Sequence, residues 1–242
     1  MEIPKKISPC PIIESIVEIR FSSRAPSEAI FGIIYNEFKD EFPNLEKLPI
    51  LQIPDQLREN DPNLRFRPTH KLSNNNLMIQ VGPQVFALVN VHEYLGWEMF
   101  SEHIYRVFSK LFTTIKFEKL IRIAVRYINL FKGINIFEHS NMKIALNDEP
   151  FTGNEINFTS VINADDCINR LVMLNKSEVV VDKSYYSGSV IDIDTVLKSY
   201  PENITSNVEI LKKCIEKAHV EEKKLFFSLI QQSFLNTLNP EY

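Results

Sequence analysis

The chain has 242 residues, a formal net charge of −4 and 44% hydrophobic residues, but only six glycines. The apolar share is too high for a disordered chain, and a chain of this length can bury a core without disulfides or metal. The scarcity of glycine argues against a glycine-rich phosphate loop, and the negative charge argues against general attraction to nucleic acid or to anionic membranes.

The first half of the chain predicts strands combined with two amphipathic helices. Alternating polar and apolar side chains predict a half-buried strand at 16–21. Apolar residues that recur every three or four positions predict one helix that begins at Ser27 and ends at Pro43, and a second that begins at Gly96. Apolar runs predict the remaining strands of this half at 64–72, 77–81, 85–91 and 120–131.

The second half predicts a run of short strands and then one long helix. The strand candidates are separated by turn residues, a spacing that is typical of an antiparallel meander. They lie at 156–162, 170–174, 179–186 and 190–196. The helix is expected to run from Ser206 to Leu238, and Ser206 with Glu209 forms the pattern of a capping box.

This order of elements predicts an α+β fold with a mostly antiparallel sheet, two helices in the first half and a long C-terminal helix. Strands and helices alternate too irregularly for a doubly wound parallel sheet. The only segment that we expect to form a boundary between two parts of the chain lies at 133–155. The chain is therefore expected to form two halves, 1–133 and 134–242, or one continuous domain.

The cysteines and the N-terminus predict a cytoplasmic protein. Cys10, Cys167 and Cys214 are odd in number and widely spaced, as expected for free thiols in a reducing compartment. The prolines at positions 4, 9 and 11 interrupt any apolar leader segment. No apolar run approaches the roughly 20 residues of a membrane span, so no membrane association is expected.

No recognisable motif for catalysis, metal binding or cofactor binding occurs in the sequence. The Gly-x-Ser-x-Gly pattern of a serine nucleophile is missing, and the five histidines form no His-x-x-x-His pair. We therefore assign no catalytic residue, no metal and no cofactor. A non-enzymatic protein is favoured over an enzyme.

Charged residues on the predicted strands form the sharpest candidate for a ligand site. Each pair is spaced so that both members share one face of a sheet. If the strands are neighbours, the arginines can bind phosphate through paired donors and the carboxylates can hold Mg²⁺. Cross-strand salt bridges on a solvated face explain the same residues. The candidate residues are Arg20, Arg122, Arg126, Asp192 and Asp194, with Glu18 beside Arg20.

Aromatic residues form a second candidate, for contact with a partner. Tyr94 and Trp97 flank Gly96 where a strand passes into a helix, so they either stack on a ligand or fill the core. Phe227 and Phe234 lie on the terminal helix, whose apolar residues point in more than one direction. This pattern predicts self-association, with a homodimer as the main expectation, or contact with another protein.

Four local motifs occur together along the chain: Pro-Ile-Ile-Glu at 11–14, Tyr-x-Gly-Trp-Glu at 94–98, Arg-Tyr-Ile-Asn at 126–129 and Leu-Phe-Phe-Ser-Leu-Ile at 225–230. In this combination the chain resembles a sporadically distributed bacterial family of unassigned function. The resemblance extends from Pro11 to Pro240 and implies a stand-alone cytoplasmic bacterial protein. Such a distribution is similar to that of anti-phage defence or toxin–antitoxin genes. The resemblance implies no catalytic residues.

We therefore expect a non-enzymatic protein-binding subunit or regulator. The alternative is an enzyme or sensor that binds a phosphorylated small molecule at the charged strand face. A second alternative is nucleic-acid binding through the basic region 101–133, which holds seven basic and two acidic residues. Its candidate contacts are Arg106, Lys110, Lys116 and Lys119.

Overall fold

The computed structural model describes residues 2–150, 155–181 and 184–242. Within these residues, nine strands form one antiparallel sheet, and a separate two-stranded hairpin lies in the second half. The strands are β1 Ile12–Ser23, β2 Asn44–Lys47, β3 His70–Ser73, β4 Leu77–Gly82, β5 Val85–Asn90, β6 Phe117–Lys132, β7 Ala145–Leu146, β8 Glu149–Pro150, β9 Asn157–Asn163, β10 Cys167–Val181 and β11 Ser184–Leu197. Their order in the sheet is β2-β3-β4-β5-β1-β6-β11-β10-β9.

The described α-helices are α1 Ser27–Phe38, α2 Asp55–Asn60, α3 Trp97–Thr114, α4 Val208–Leu229 and α5 Gln232–Thr237. The predicted α+β class, with its antiparallel sheet and long C-terminal helix, is confirmed. In the part of the chain that the structure describes, no helix combines the length and apolar composition needed to cross a membrane.

The topology repeats itself across the middle of the sheet. In the first half, β1 pairs with the last strand of the meander β3-β4-β5, and α3 follows. In the second half, β6 pairs with the last strand of the meander β9-β10-β11, and α4 follows. Because β1 and β6 pair antiparallel at the centre, the two halves have the topology of an approximate two-fold repeat. The sheet is continuous through the boundary predicted after Gly133.

Helices cover one face of the sheet, and the side chains that point to this face are the apolar ones at alternate positions along each strand. Val17, Ile19 and Phe21 of β1 are fully buried in a core with α1, α3 and the start of α4. A second core, around Ile191 and Phe226, joins the end of α4 and α5 to β10 and β11. The intervening side chains, beginning with Glu18 and Arg20, point to the opposite side. We call that side the open face.

The largest differences from the predicted strands lie at 64–72 and in the region from 170 to 186. The strands predicted separately at 170–174 and 179–186 are not separate, because β10 continues past a bulge at Lys176 instead of turning there. Residues 179–181 therefore belong to β10 and 184–186 to β11, while 182 and 183 lie outside the described residues. The strand predicted at 64–72 begins only at His70, because residues 61–67 form turns in which Asp61 accepts hydrogen bonds from the backbone N–H groups of Leu64 and Arg65.

The terminal helix also differs from its prediction. It ends at Leu229, since Ile230 pairs with Ser140 and the backbone N–H of Gln231 donates to His139. The predicted capping box is wrong as well. The side chain of Asn207, not Ser206, accepts the hydrogen bond from the backbone N–H of Glu209.

Candidate functional site

The five charged residues predicted as a ligand site lie on three neighbouring strands of the open face. β6 lies between β1 and β11 and pairs with both. In this register Arg20 is opposite Arg122, and Arg126 is opposite Asp194. Strand alternation then places Asp192 on the same face as Asp194. The sheet therefore brings the predicted residues together.

These side chains are bound to one another in two groups. In the first, Glu18 accepts hydrogen bonds from Arg122 and from Nε of Arg20, the latter at 2.8 Å, and Arg122 Nη2 also donates to Asp194 at 2.5 and 2.6 Å. In the second, Arg126 donates from Nε and Nη2 to the two oxygens of Asp192, at 2.8 and 2.6 Å. This forked geometry fixes the guanidinium planes on the sheet surface.

Burial and neighbouring charges have opposite effects on the pKa values of Arg126 and Glu14, at the edge of this network. The ion pair with Asp192 raises the pKa of Arg126 further above its ordinary value, so this arginine stays charged. Burial raises the pKa of the neighbouring Glu14, although the charge of Arg126 opposes that shift. The open face is thus only partly solvated at its centre, where charge-assisted hydrogen bonds are stronger than in water.

Arg170 is a charged residue of this face that the sequence analysis missed. It lies on β10 directly opposite Asp194, but both oxygens of that carboxylate already accept from Arg122. Among the described residues, no acceptor binds the exposed guanidinium of Arg170. The predicted strand 170–174 begins at Arg170, and its alternation with the apolar Leu171 and Met173 was the signal that Arg170 lies on the open face.

A cavity of about 350 Å³ opens beside Arg170 on this face. Arg20 and Arg122 also line it, with Asp194 as the acidic residue among the lining groups. The rest of the lining includes apolar side chains of three different segments: Phe66, Ile168 and Val196. The guanidinium of Arg20 lies 5.1 Å from the centre of the Phe66 ring. The cavity thus combines an excess of positive charge with apolar surface.

Replacing Arg122 with alanine is expected to lower the free energy of unfolding by about 2 kcal/mol, because Asp194 loses its hydrogen-bonded partner and Glu18 loses one of two. Urea denaturation followed by circular dichroism measures this loss. Arg170→Ala is the matched control, and its expected effect is within about 0.5 kcal/mol. Equal losses in the two variants would contradict the assigned network.

The aromatic candidates Tyr94 and Trp97 contact their own chain. Gly96 between them has a φ of 82° and a ψ of 154°, a conformation that side chains with a Cβ rarely adopt. Trp97 stacks on His219 of α4 with ring centres 3.6 Å apart, and its Nε1 donates to Glu216. The rings of Tyr94 and Trp97 are both partly buried against the first core.

A buried polar cluster continues from this contact between the sheet and α4. The hydroxyl groups of Tyr94 and Tyr127 lie 3.2 Å apart, and the Tyr127 hydroxyl lies 3.1 Å from Nδ1 of His219. Burial lowers the pKa of His219 to about 3, so its ring is neutral at pH 7. The Ser15 hydroxyl, on the strand residue opposite Tyr127, has no hydrogen-bond partner among the described residues.

Glu222 is the unusual member of this cluster. It lies one helical turn after His219, is 4% exposed, and accepts no hydrogen bond within the described part of the chain. Burial raises its pKa to about 8, although the charge of Lys223 opposes the shift. Burial without a hydrogen-bond partner favours the neutral, protonated form of a carboxyl group. Ionisation of Glu222 therefore destabilises the packing of α4 against the sheet.

The other interaction candidates, Phe227 and Phe234, lie in the second core. They are 6% and 8% exposed, and Phe234 contacts the rings of Phe131 and His139. The break after Leu229 explains this placement, because it turns α5 back onto the sheet. Neither ring is presented to a partner unless this core opens.

The basic region predicted for nucleic acid is partly used inside the molecule. Arg106 and Lys110 of α3 both form ion pairs with Glu41, which follows α1. Arg122 and Arg126, also in this region, are paired on the open face. Lys116 and Lys119 remain near the start of β6, where Lys119 is exposed.

In the described ranges, no group of three or more His, Cys, Asp and Glu side chains is arranged to hold a metal ion. A scan of the chain against protein-family models and a search of curated proteins found no match.

Proposed function

We propose that the protein is a bacterial, cytoplasmic, non-enzymatic binding protein that receives a partner protein on its open sheet face. The ion pairs there support this proposal, because the acidic and basic side chains at the centre of the face are engaged with one another. A general acid or base needs a side chain that is free to exchange a proton with a substrate. Fixed arginines beside apolar surface suit a protein interface, where arginine is enriched.

Arg170 is the observation that carries this proposal. Its guanidinium forms no ion pair among the described residues, because the nearby Asp194 is bound to Arg122, and it borders a cavity that also has apolar lining. A partner that places a carboxylate beside Arg170 and an apolar side chain in the cavity would satisfy both features. The proposal includes self-association, and a role as a subunit or regulator in anti-phage defence or a toxin–antitoxin-like system.

The second candidate function is binding of a phosphorylated small molecule in the same cavity. Its volume of about 350 Å³ lies at the lower end of ligand cavities, which begin near roughly 300 Å³. Arg20 uses only Nε in its bond to Glu18, so its two Nη groups are available as phosphate donors, and Arg20 and Arg170 both line the cavity. This arrangement favours a sensor rather than catalysis.

The charge reversal Arg170→Glu tests the site. We expect it to abolish stoichiometric co-purification of the partner from the native host, because a carboxylate would then face a carboxylate. Lys213→Glu is the matched control: Lys213 is exposed on α4, away from the open face, and this variant is expected to retain the partner.

A thermal-shift screen with nucleotides and inorganic polyphosphate separates the two candidates. Stabilisation of the wild type that Arg170→Glu removes would favour the phosphorylated ligand over a protein partner. A partner retained equally by Arg170→Glu and Lys213→Glu would exclude the open face as its binding surface.

A further inference from the structure

The two edges of the sheet are protected very differently. At one edge, β2 has four residues, of which Glu46 and Lys47 are charged, and Pro49 follows closely. At the other edge, β9 has seven residues, Asn157–Asn163, with no charge and no proline. Charges and prolines are the usual means by which edge strands avoid pairing with another chain. β9 therefore has the composition of a strand that pairs.

Among the described residues, the outer side of β9 is open. β9 pairs with β10 on its inner side, and no other described strand borders it. Thr159 and Val161 are exposed on the open face, and Val161 is 58% exposed, among the highest values for a large hydrophobic residue here. Phe158 and Ile162 point to the helix side, where they pack at the margin of the second core.

The sequence of β9 is nearly palindromic in chemical character about Ser160. Asn157 corresponds to Asn163, aromatic Phe158 to aliphatic Ile162, and β-branched Thr159 to β-branched Val161. If two copies pair antiparallel about a two-fold axis at Ser160, each residue lies opposite its counterpart in the other copy. A two-fold interface has to be self-complementary in this way. The register keeps apolar residues together on the helix side and β-branched residues together on the open face.

We propose that β9 pairs with β9 of a second copy of this chain, antiparallel and centred on Ser160, so that the two sheets become one. This inference specifies the self-association included in the proposed function, and it does not depend on any partner of the open face. The two open faces then lie on the same side. The two Arg170 residues lie on strands that are three spacings, or about 14 Å, apart.

The pairing should be of modest strength, because one short strand from each copy buries a small interface. We expect a reversible dimer at micromolar concentration, visible by sedimentation velocity. Val161→Lys should make the protein monomeric, since it places two cations close to the two-fold axis. Leu45→Lys, at the other edge, is the matched control and should leave the dimer intact; Leu45 is 43% exposed.

Oxidative cross-linking tests the register. In a Cys10→Ser background, which removes the exposed thiol, Ser160→Cys should form a disulfide dimer, because directly opposite Cβ atoms lie about 4.5 to 5.5 Å apart. Val161→Cys should cross-link poorly, since its copies are diagonal neighbours at about 7 to 8 Å. Circular dichroism checks the fold of every variant.

A wild-type protein that stays monomeric at high micromolar concentration would overturn the inference. So would a dimer that Val161→Lys leaves unchanged, or one that cross-links at Val161 in preference to Ser160. Arg170→Glu should leave the dimer intact, so loss of the open-face partner and loss of dimerisation are separate results.

Discussion

The wild-type protein is expected to lose stability between pH 6.5 and pH 8, and replacing Glu222 with glutamine is expected to remove that loss. Burial raises the pKa of Glu222 to about 8 in the folded protein, from 4.5 in the unfolded chain. The folded state therefore binds a proton that the unfolded state releases. The resulting stabilisation is complete below pH 4.5 and is lost as the pH rises to about 8.

His219 also affects how stability depends on pH, because its pKa is lowered rather than raised and its contribution to stability therefore increases with pH. Its pKa is lowered from 6.5 to about 3, so its contribution to stability increases as the pH rises from about 3 to 6.5. Between pH 4.5 and 6.5 the two effects offset each other. Above pH 6.5 only the loss from Glu222 remains: 1.5 pH units at about 1.4 kcal/mol each, or about 2 kcal/mol.

The other titratable groups around Glu222 do not change this window. Burial raises the pKa of Tyr94 and of Tyr127, so both hydroxyls stay neutral here. Lys223, whose pKa is lowered by burial, remains the nearby cation.

Urea denaturation at a series of pH values measures the profile. Glu222→Gln should be flat from pH 6.5 to 8, and Glu209→Gln, an exposed change on the same helix, should keep the wild-type decline. A wild-type protein equally stable at pH 6.5 and pH 8 would contradict the buried, unpaired state of Glu222.

Replacing Trp97 with alanine is expected to cost about 3 kcal/mol of unfolding free energy, at the low end for a large aromatic residue because the ring is only partly buried. The change removes the stack on His219 and the hydrogen bond to Glu216, which together hold α3 against α4. Trp97→Phe should cost less, since it keeps the stack and loses only the hydrogen bond.

Thermal and urea unfolding compare these variants with Met99→Ala, a control at a 53% exposed position on the same helix that should be nearly neutral. If Trp97→Ala melts like the wild type but loses its partner, Trp97 belongs to the binding surface and not to the scaffold.

Strand periodicity predicted part of the candidate site, namely which charged residues share a face of the sheet. Alternation alone predicted that Arg122 and Arg126 share a face, and the same holds for Asp192 and Asp194. Which strands are neighbours follows from long-range pairing, because β6 contacts β11 across about 60 residues of sequence. The choice of partners depends on it as well: Arg126 lies opposite Asp194 but binds Asp192, since Arg122 occupies Asp194.

The buried cluster around Glu222 could not be predicted from the periodicity of the sequence. Glu222 interrupts the apolar stripe that Leu211, Ile215, Ala218 and Leu225 form along α4, and this interruption is the only local sign of its burial. Its neighbours Tyr94 and Tyr127 come from a loop and a strand about 100 residues earlier. A pKa shift depends on the groups and the solvent around a side chain, so it follows from packing rather than from local sequence.

The sequence by itself determined the α+β class, most strands and helices, the amphipathic character of α3 and α4, and the charged face of the central strands, because each follows from periods of two or of about 3.6 residues. The tertiary structure decided the strand order, the ion-pair partners, the isolation of Arg170, the burial of Glu222 and the open edge at β9. Each of these depends on which distant segments meet, and contacts between distant segments leave no local pattern in the chain.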